Sequence, residues 1–255
     1  MVERFVRDEE VDSSSLSAPT ILLRSDMKLN ASGVNAVISP FLWVLVSAFC
    51  YFISAGTFET LQGSLYYALA LAFTAISSVV LADRAPGPMN ERGILRKDAC
   101  GKDKMFVAAY LIFDSAVVPA IAGLDYRNLH DTSLGISHLC LGIALYLIAF
   151  SIGFWAMAAN PFYERLSRIQ DDRKQYVILK GPYGIVRHPG YLSMALKSLA
   201  LPLITGSRTS LIVSLVPCVI CIIRAFNEDR MLSEGLEGYA QYSEKVRYKL
   251  LPWVV

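Results

Sequence analysis

Charge is scarce in this chain. Of its 255 residues only 18% are Asp, Glu, Lys or Arg, against about 25% in ordinary soluble domains. With 54% hydrophobic residues and a mean hydropathy of +0.43, lipid is the expected solvent. A strong charge of one sign is missing too. The 24 basic and 22 acidic residues leave a net +2, which argues against a nucleic-acid-binding surface. Cysteine is sparse: Cys50, Cys100, Cys140, Cys218 and Cys221 make no disulfide framework. Cys218 and Cys221 have CxxC spacing, but they sit in an apolar run without a second pair and read as small buried hydrophobes. No metal site is expected. The start of the chain also lacks an apolar run. Residues 1–33 are polar and mixed in charge, which argues against a cleavable signal peptide and for a disordered tail around Ser13, Ser14 and Ser15. No internal repeat is evident.

Six apolar segments are present, each read as a helix: Val34–Phe58, Leu65–Ala82, Met105–Leu124, Leu134–Ala159, Tyr191–Thr205 and Leu211–Phe226. A membrane span needs about 20 apolar residues, and the first four segments qualify. The last two are short and interrupted by Pro202 and Pro217, suggesting a tight hairpin about Gly206-Ser207. The expected fold is all-α, a multi-pass transmembrane bundle of five to six spans. A polar tail (1–33), four spans (34–159) and a catalytic region (160–255) follow one another. Basic residues cluster in alternate loops: Arg84, Arg92, Arg96, Lys97, Lys102 and Lys104, then Arg165, Arg168, Arg173, Lys174, Lys180 and Arg187. Lys and Arg favour the cytoplasmic side. Both termini, loop 160–190 and the C-terminal segment are therefore expected in the cytosol. The sequon at Asn30-Ala31-Ser32 falls on that side and is not expected to carry a glycan.

Two ionisable residues lie inside spans, Asp114 and His138. Such groups are functional candidates by default; the competing reading is a side chain hydrogen-bonded to a neighbouring helix. Lys197 lies near a helix end and is expected to snorkel to the interface.

The most informative stretch is Gly181-Pro182-Tyr183-Gly184-Ile185-Val186-Arg187-His188-Pro189-Gly190-Tyr191. Gly181 and Pro182 suit a turn, and Pro189 suits the first turn of a helix. Arg187 and His188 would then stand at that helix's N-terminal mouth, where free N–H groups and the dipole favour an anion. A basic juxtamembrane anchor is the competing reading. Downstream, Arg224 and Glu228 are four apart on one helix face, a spacing that allows them to pair, with Asp229 adjacent; a solvated helix end is the competing reading. The tail alternates aromatic and basic residues through Tyr239, Tyr242, Arg247, Tyr248 and Trp253, a pattern suited to the membrane interface.

Taken together, Trp155 to Asn160-Pro161-Phe162, Arg168-Ile169-Gln170, GPYxxVRHPGY, RxxxED and GYxxYxxxVRYxLLP resemble the isoprenylcysteine carboxyl methyltransferase family, particularly its bacterial-type members, over about residues 155–253. The family's RHPxY element is matched by Arg187, His188, Pro189 and Tyr191. Its paired acids are matched by Glu228 and Asp229, with Asp in place of the usual second Glu, and its GxY turn by Tyr183. The resemblance implies S-adenosylmethionine bound at the cytosolic face by Tyr183, His188, Pro189, Tyr191, Glu228 and Asp229. It also implies a lipophilic acceptor arriving from the bilayer of a bacterial inner membrane or an endoplasmic reticulum.

A carboxylate acceptor is already ionised at neutral pH, so transfer to it needs alignment and water exclusion more than a base. Arg187, Arg224 and Arg247 are the candidates to hold such a carboxylate. Three readings compete. A phospholipid amine methylase would need a base, a role open to Tyr or Glu228. An NADPH-dependent sterol-type reductase ends similarly but reads RHPNYxGE where this chain has RHPGYLSM. The last is a non-catalytic membrane protein.

Overall fold

The computed structural model of the protein describes residues 28–94, 96, 101–129 and 135–252. The N-terminal tail up to residue 27 and Trp253 lie outside the described residues. Among the described residues the chain is all-helical. Helix α1 (Ala31–Ala55) starts where the Asn30 side chain accepts from the Gly33 N–H at 3.0 Å, and stops at Gly56, whose φ of 72° only glycine adopts freely. Helix α2 (Leu61–Arg84) returns, and the short α3 (Pro86–Arg92) turns across its end with Pro86 in the first turn. Helices α4 (Gly101–Ile112) and α5 (Val118–Leu129) form one span joined by a π-turn at Phe113–Val117. Helix α6 (Gly135–Ala159) follows, then an irregular strap, then α7 (Pro189–Thr205), α8 (Arg208–Val213), α9 (Leu215–Gly235) and α10 (Tyr239–Lys245).

Among the described residues, five helical stretches are long and apolar enough to cross a membrane: Ala31–Ala55, Leu61–Arg84, Gly101–Asn128, Gly135–Ala159 and Arg208–Gly235. Leu42, Leu45, Phe49 and Ile53 of α1 and Ile76 and Val79 of α2 point outward, as a lipid solvent requires. The fifth apolar segment, α7, has 17 residues, and its second half is buried continuously from Ala200 to Thr205. Its apolarity therefore reflects burial among α2, α6 and α9 rather than contact with lipid. The expected hairpin is present. Gly206 ends α7 at φ 74°, and Ser207 caps α8 by accepting from the Ser210 N–H at 3.1 Å. Asp125 of α5 locks this turn, accepting from the Ser207 hydroxyl at 2.5 Å and the Thr209 N–H at 3.2 Å. Helix α9 runs to Gly235, nine residues past Phe226, where the apolar segment was expected to end. Helical geometry persists because Glu228, Asp229 and their neighbours are all good enough helix formers once the apolar half is packed.

Tyrosines fill the middle of the bundle. Tyr51, Tyr66, Tyr67 and Tyr146 pack with Val118, Ala200 and Ile204, and the Tyr67 hydroxyl donates to the Ser47 carbonyl at 2.9 Å. Small residues let the backbones approach, as helix packing in lipid favours. At Gly142 of α6, a Cβ would lie 2.8 Å from the Ile204 nitrogen and 3.0 Å from the Leu203 Cβ of α7. Backbone cannot yield as a flexible side chain does. We expect Gly142→Val to cost about 1–3 kcal/mol and to lower the unfolding midpoint in detergent by roughly 2–10 °C. An unchanged midpoint would mean that α6 and α7 do not meet this closely.

Candidate active site

The site lies at the polar end of the bundle, where α2 and α6 end and α7 begins. The strap over residues 160–188 is tied down by charged side chains from α3 and beyond. Arg92 caps the free carbonyls at the end of α6, donating to Met157 at 2.6 Å and to the Tyr163 carbonyl at 3.0 Å. Burial pushes its guanidinium down to about 10. Arg96 and Arg168 both bind Glu164, at 3.2 and 3.1 Å. Asp172 pairs with Arg168 at 2.7 Å, and that hydrogen bond holds its carboxyl below the ordinary range.

Glu228 and Asp229 are adjacent, yet they do different things. Successive residues on a helix point about 100° apart, so the two carboxylates face different neighbours. Asp229 turns to the tail. Arg187 grips it bidentately, Nε to Oδ1 at 2.7 Å and a terminal nitrogen to Oδ2 at 3.0 Å. His188 Nε2 lies at 3.2 Å, the Tyr239 hydroxyl donates at 2.9 Å, and Lys249 stands 3.7 Å away. The other terminal nitrogen of Arg187 donates to the carbonyls of Val246 and Arg247, at 2.8 and 3.1 Å. The backbone N–H groups of Arg187 and His188 donate to Tyr248 and Lys249. Burial, with Asp229 beside it, pushes the Tyr239 hydroxyl well above its usual value and keeps it a donor. The anion at the mouth of α7 is thus the chain's own Asp229.

Glu228 turns into the bundle. Its Oε2 accepts from the Tyr191 hydroxyl and from the Ser167 hydroxyl, each at 2.6 Å. The Arg224–Glu228 pair that the spacing allows is not formed. Arg224 instead grips Asp103 of α4, at 2.8 and 3.2 Å, donates to the Arg165 carbonyl at 2.9 Å, and stacks over the Tyr191 ring at 4.9 Å. Asp103, which no sequence motif marks, also accepts from the Ser167 N–H at 2.8 Å. It thereby joins α4, the strap and α9.

A cavity of about 490 Å³ connects these groups with the middle of the bundle. Its outer part is lined by Phe162, Tyr176, Val177, Tyr183, Leu232 and Tyr239, with His188, Tyr191 and Glu228 at the junction. Farther in stand Tyr66, Tyr110 and Tyr146 with Asp114 and Lys197. Lys197 does not snorkel to an interface. It lies in the middle of α7, 3.4 Å from Asp114, with its side chain 45% exposed toward the cavity. Asp114 also accepts from the Ser198 hydroxyl at 2.6 Å, on the π-turn. His138 sits near the start of α6 and does not line the cavity.

The structure therefore brings Tyr183, Arg187, His188, Pro189, Tyr191, Arg224, Glu228 and Asp229 to one place, while the Arg247 side chain is exposed outside the cavity. The cavity volume suits a small-molecule site. Aromatic and aliphatic walls suit a purine, and hydroxyl and carboxylate groups at the junction suit ribose or amino-acid polar atoms, so the residues fit S-adenosylmethionine.

Residues 137–237, from α6 to the start of the tail, match the family model of the phospholipid methyltransferases. That is a family of membrane methyltransferases related to the isoprenylcysteine carboxyl methyltransferases. No curated protein matches the chain.

We expect Asp229→Asn to loosen the tail, because a bidentate charged contact and its buried partners are left mismatched, at a cost of about 3–5 kcal/mol. Limited proteolysis should then cut between residues 236 and 252 in the variant and not in the wild type. Equal resistance would show that Asp229 does not anchor the tail.

Proposed function

We propose that the protein is an integral membrane methyltransferase that transfers the methyl group of S-adenosylmethionine to the amine of a phospholipid head group. One observation carries this choice: the two motif arginines at the junction, Arg187 and Arg224, are already bound to carboxylates of the protein, while Glu228 faces the cavity held only by hydroxyls. Arg187 and Arg224 are 6% and 4% exposed in their side chains and grip Asp229 and Asp103. Neither offers a free fork to an acceptor carboxylate. Glu228 offers a carboxylate to an acceptor ammonium.

S-adenosylmethionine supplies an electrophilic methyl group on a sulfonium. An amine must lose its proton before its nitrogen can attack. Glu228 is placed to take it, and in a site that excludes water, proton transfer turns an ion pair into two neutral groups, which burial favours. Tyr191 and Ser167 orient the carboxylate. His188 and Tyr183 shape the outer cavity where the cofactor would lie, and the strap excludes water. The basic loops support a cytosolic orientation for this end of the bundle, so a single cysteine at Thr57, in the α1–α2 loop, should label from the opposite side only; labelling from the cytosolic side would reverse the orientation.

The second reading, methyl transfer to the carboxylate of an isoprenylcysteine-like molecule, is favoured by the motif resemblance over 155–253. Tritiated S-adenosylmethionine with membrane extract separates the two. Label that stays on lipid through base treatment supports the amine; label released as volatile methanol supports the ester. We expect Glu228→Gln to lower kcat by roughly a hundredfold or more while S-adenosylhomocysteine affinity changes little. A loss confined to S-adenosylhomocysteine affinity would instead place Glu228 on a cofactor hydroxyl.

A further inference from the structure

Charges lining the cavity can be paired off. Arg168 is bound to Glu164 and Asp172, Arg187 to Asp229, Arg224 to Asp103 and Lys197 to Asp114. Arg165 also lines the cavity, and among the described residues its guanidinium meets no carboxylate. It reaches the hydroxyl of Ser39 on α1, a neutral partner that leaves most of its N–H donors available. Arg165 is exposed, and partial desolvation by the protein around it, with no opposing charge, holds its pKa below the ordinary arginine value. Among the carboxylates, Glu228 is the counterpart: it takes two hydroxyls and no Lys or Arg contact.

These two uncompensated groups are close along the chain. Ser167, which holds Glu228, is two residues from Arg165, so their Cα atoms lie within about 7 Å. The cavity wall beside Ser39 is the α1 stripe Pro40, Trp43, Val44 and Ser47, of which Pro40 and Trp43 are exposed.

We propose that Arg165 is the anchor for the phosphodiester of the acceptor lipid, with Glu228 holding the amine at the other pole of the same zwitterionic head group. This rests on the phospholipid-amine reading for its reaction, but the oxyanion site stands on the charge pairing itself. A guanidinium matches a phosphate bidentately, and two carbons separate phosphate oxygen from nitrogen in a phosphoethanolamine, a span that the separation of Arg165 and Ser167 accommodates. The role is one of positioning and selection: Arg165 touches the acceptor away from the transferred methyl group.

The test compares wild type, Arg165→Gln and Arg165→Lys in detergent, with two acceptors: dihexanoyl phosphatidylethanolamine and a long-chain N-alkyl ethanolamine that lacks phosphate. Loss of a charged hydrogen bond corresponds to about tenfold or more. The Gln variant should raise KM for the phospholipid by that factor, leave KM for the phosphate-free amine within about twofold, and leave S-adenosylhomocysteine affinity unchanged. The Lys variant should recover part of the loss. Equal KM changes for both acceptors would overturn the assignment. Should no amine lipid be methylated at all, the amine reading falls, and calorimetric titration with dihexanoyl phosphatidylglycerol still decides on Arg165. Weaker binding to the Gln variant supports the anchor, and equal binding removes it.

Discussion

Asp229 receives Arg187, His188, Tyr239 and Lys249, groups drawn from the start of α7, from α10 and from the tail beyond it. Without that carboxylate the tail would carry buried donors with no acceptor, and the polar end of the bundle would have no lid. A buried ion pair contributes little net stability against an apolar alternative. What it does here is specify a single arrangement, because only one packing brings a bidentate arginine, a tyrosine hydroxyl and a run of backbone carbonyls together. The site inherits its shape from that closure. Tyr242, for example, donates to the Tyr183 carbonyl at 2.7 Å and so seats the 181–184 turn under the tail.

Asp229 is taken up by the tail, while its neighbour Glu228 faces the cavity. The same division recurs across the cavity. Arg224 and Asp103 neutralise each other and hold α4 against α9, which leaves Tyr191 sandwiched between a guanidinium and Glu228. The groups that retain unsatisfied charge, Glu228 and Arg165, are then the ones with reason to meet a ligand. An electrostatic account of the cavity thus discriminates among residues that a motif treats alike.

Deeper in the bundle, Lys197 and Asp114 form an ion pair beside buried tyrosines. Charges within a membrane protein are costly and face the interior or a cavity, and this pair does both. The π-turn at Phe113–Val117 is the local device: an extra residue in the turn shifts the register of the span on either side of Asp114. It brings the carboxylate to Ser198 and Lys197 on α7.

Much of this was legible from residues alone. Runs of some 20 apolar residues can only be helices in lipid, since backbone groups must be satisfied within the segment. Gly206-Ser207 marked the hairpin by the glycine's tolerance of positive φ, and Pro189 marked the start of α7. The neighbourhood of Arg187, His188, Tyr191, Glu228 and Asp229 was legible because motif residues flank two helices that meet at one end. Pairing was not. Sequence spacing allowed Arg224 to pair with Glu228, but the actual partner, Asp103, lies 121 positions away, and no local rule reports such a contact. Lys197 read as an interfacial residue because its partner sits on another helix, behind a π-turn that periodicity does not show. Local sequence determined which segments are helical and which residues carry charge; only the tertiary structure decided which charges cancel, because cancellation depends on distances between helices rather than on positions along the chain.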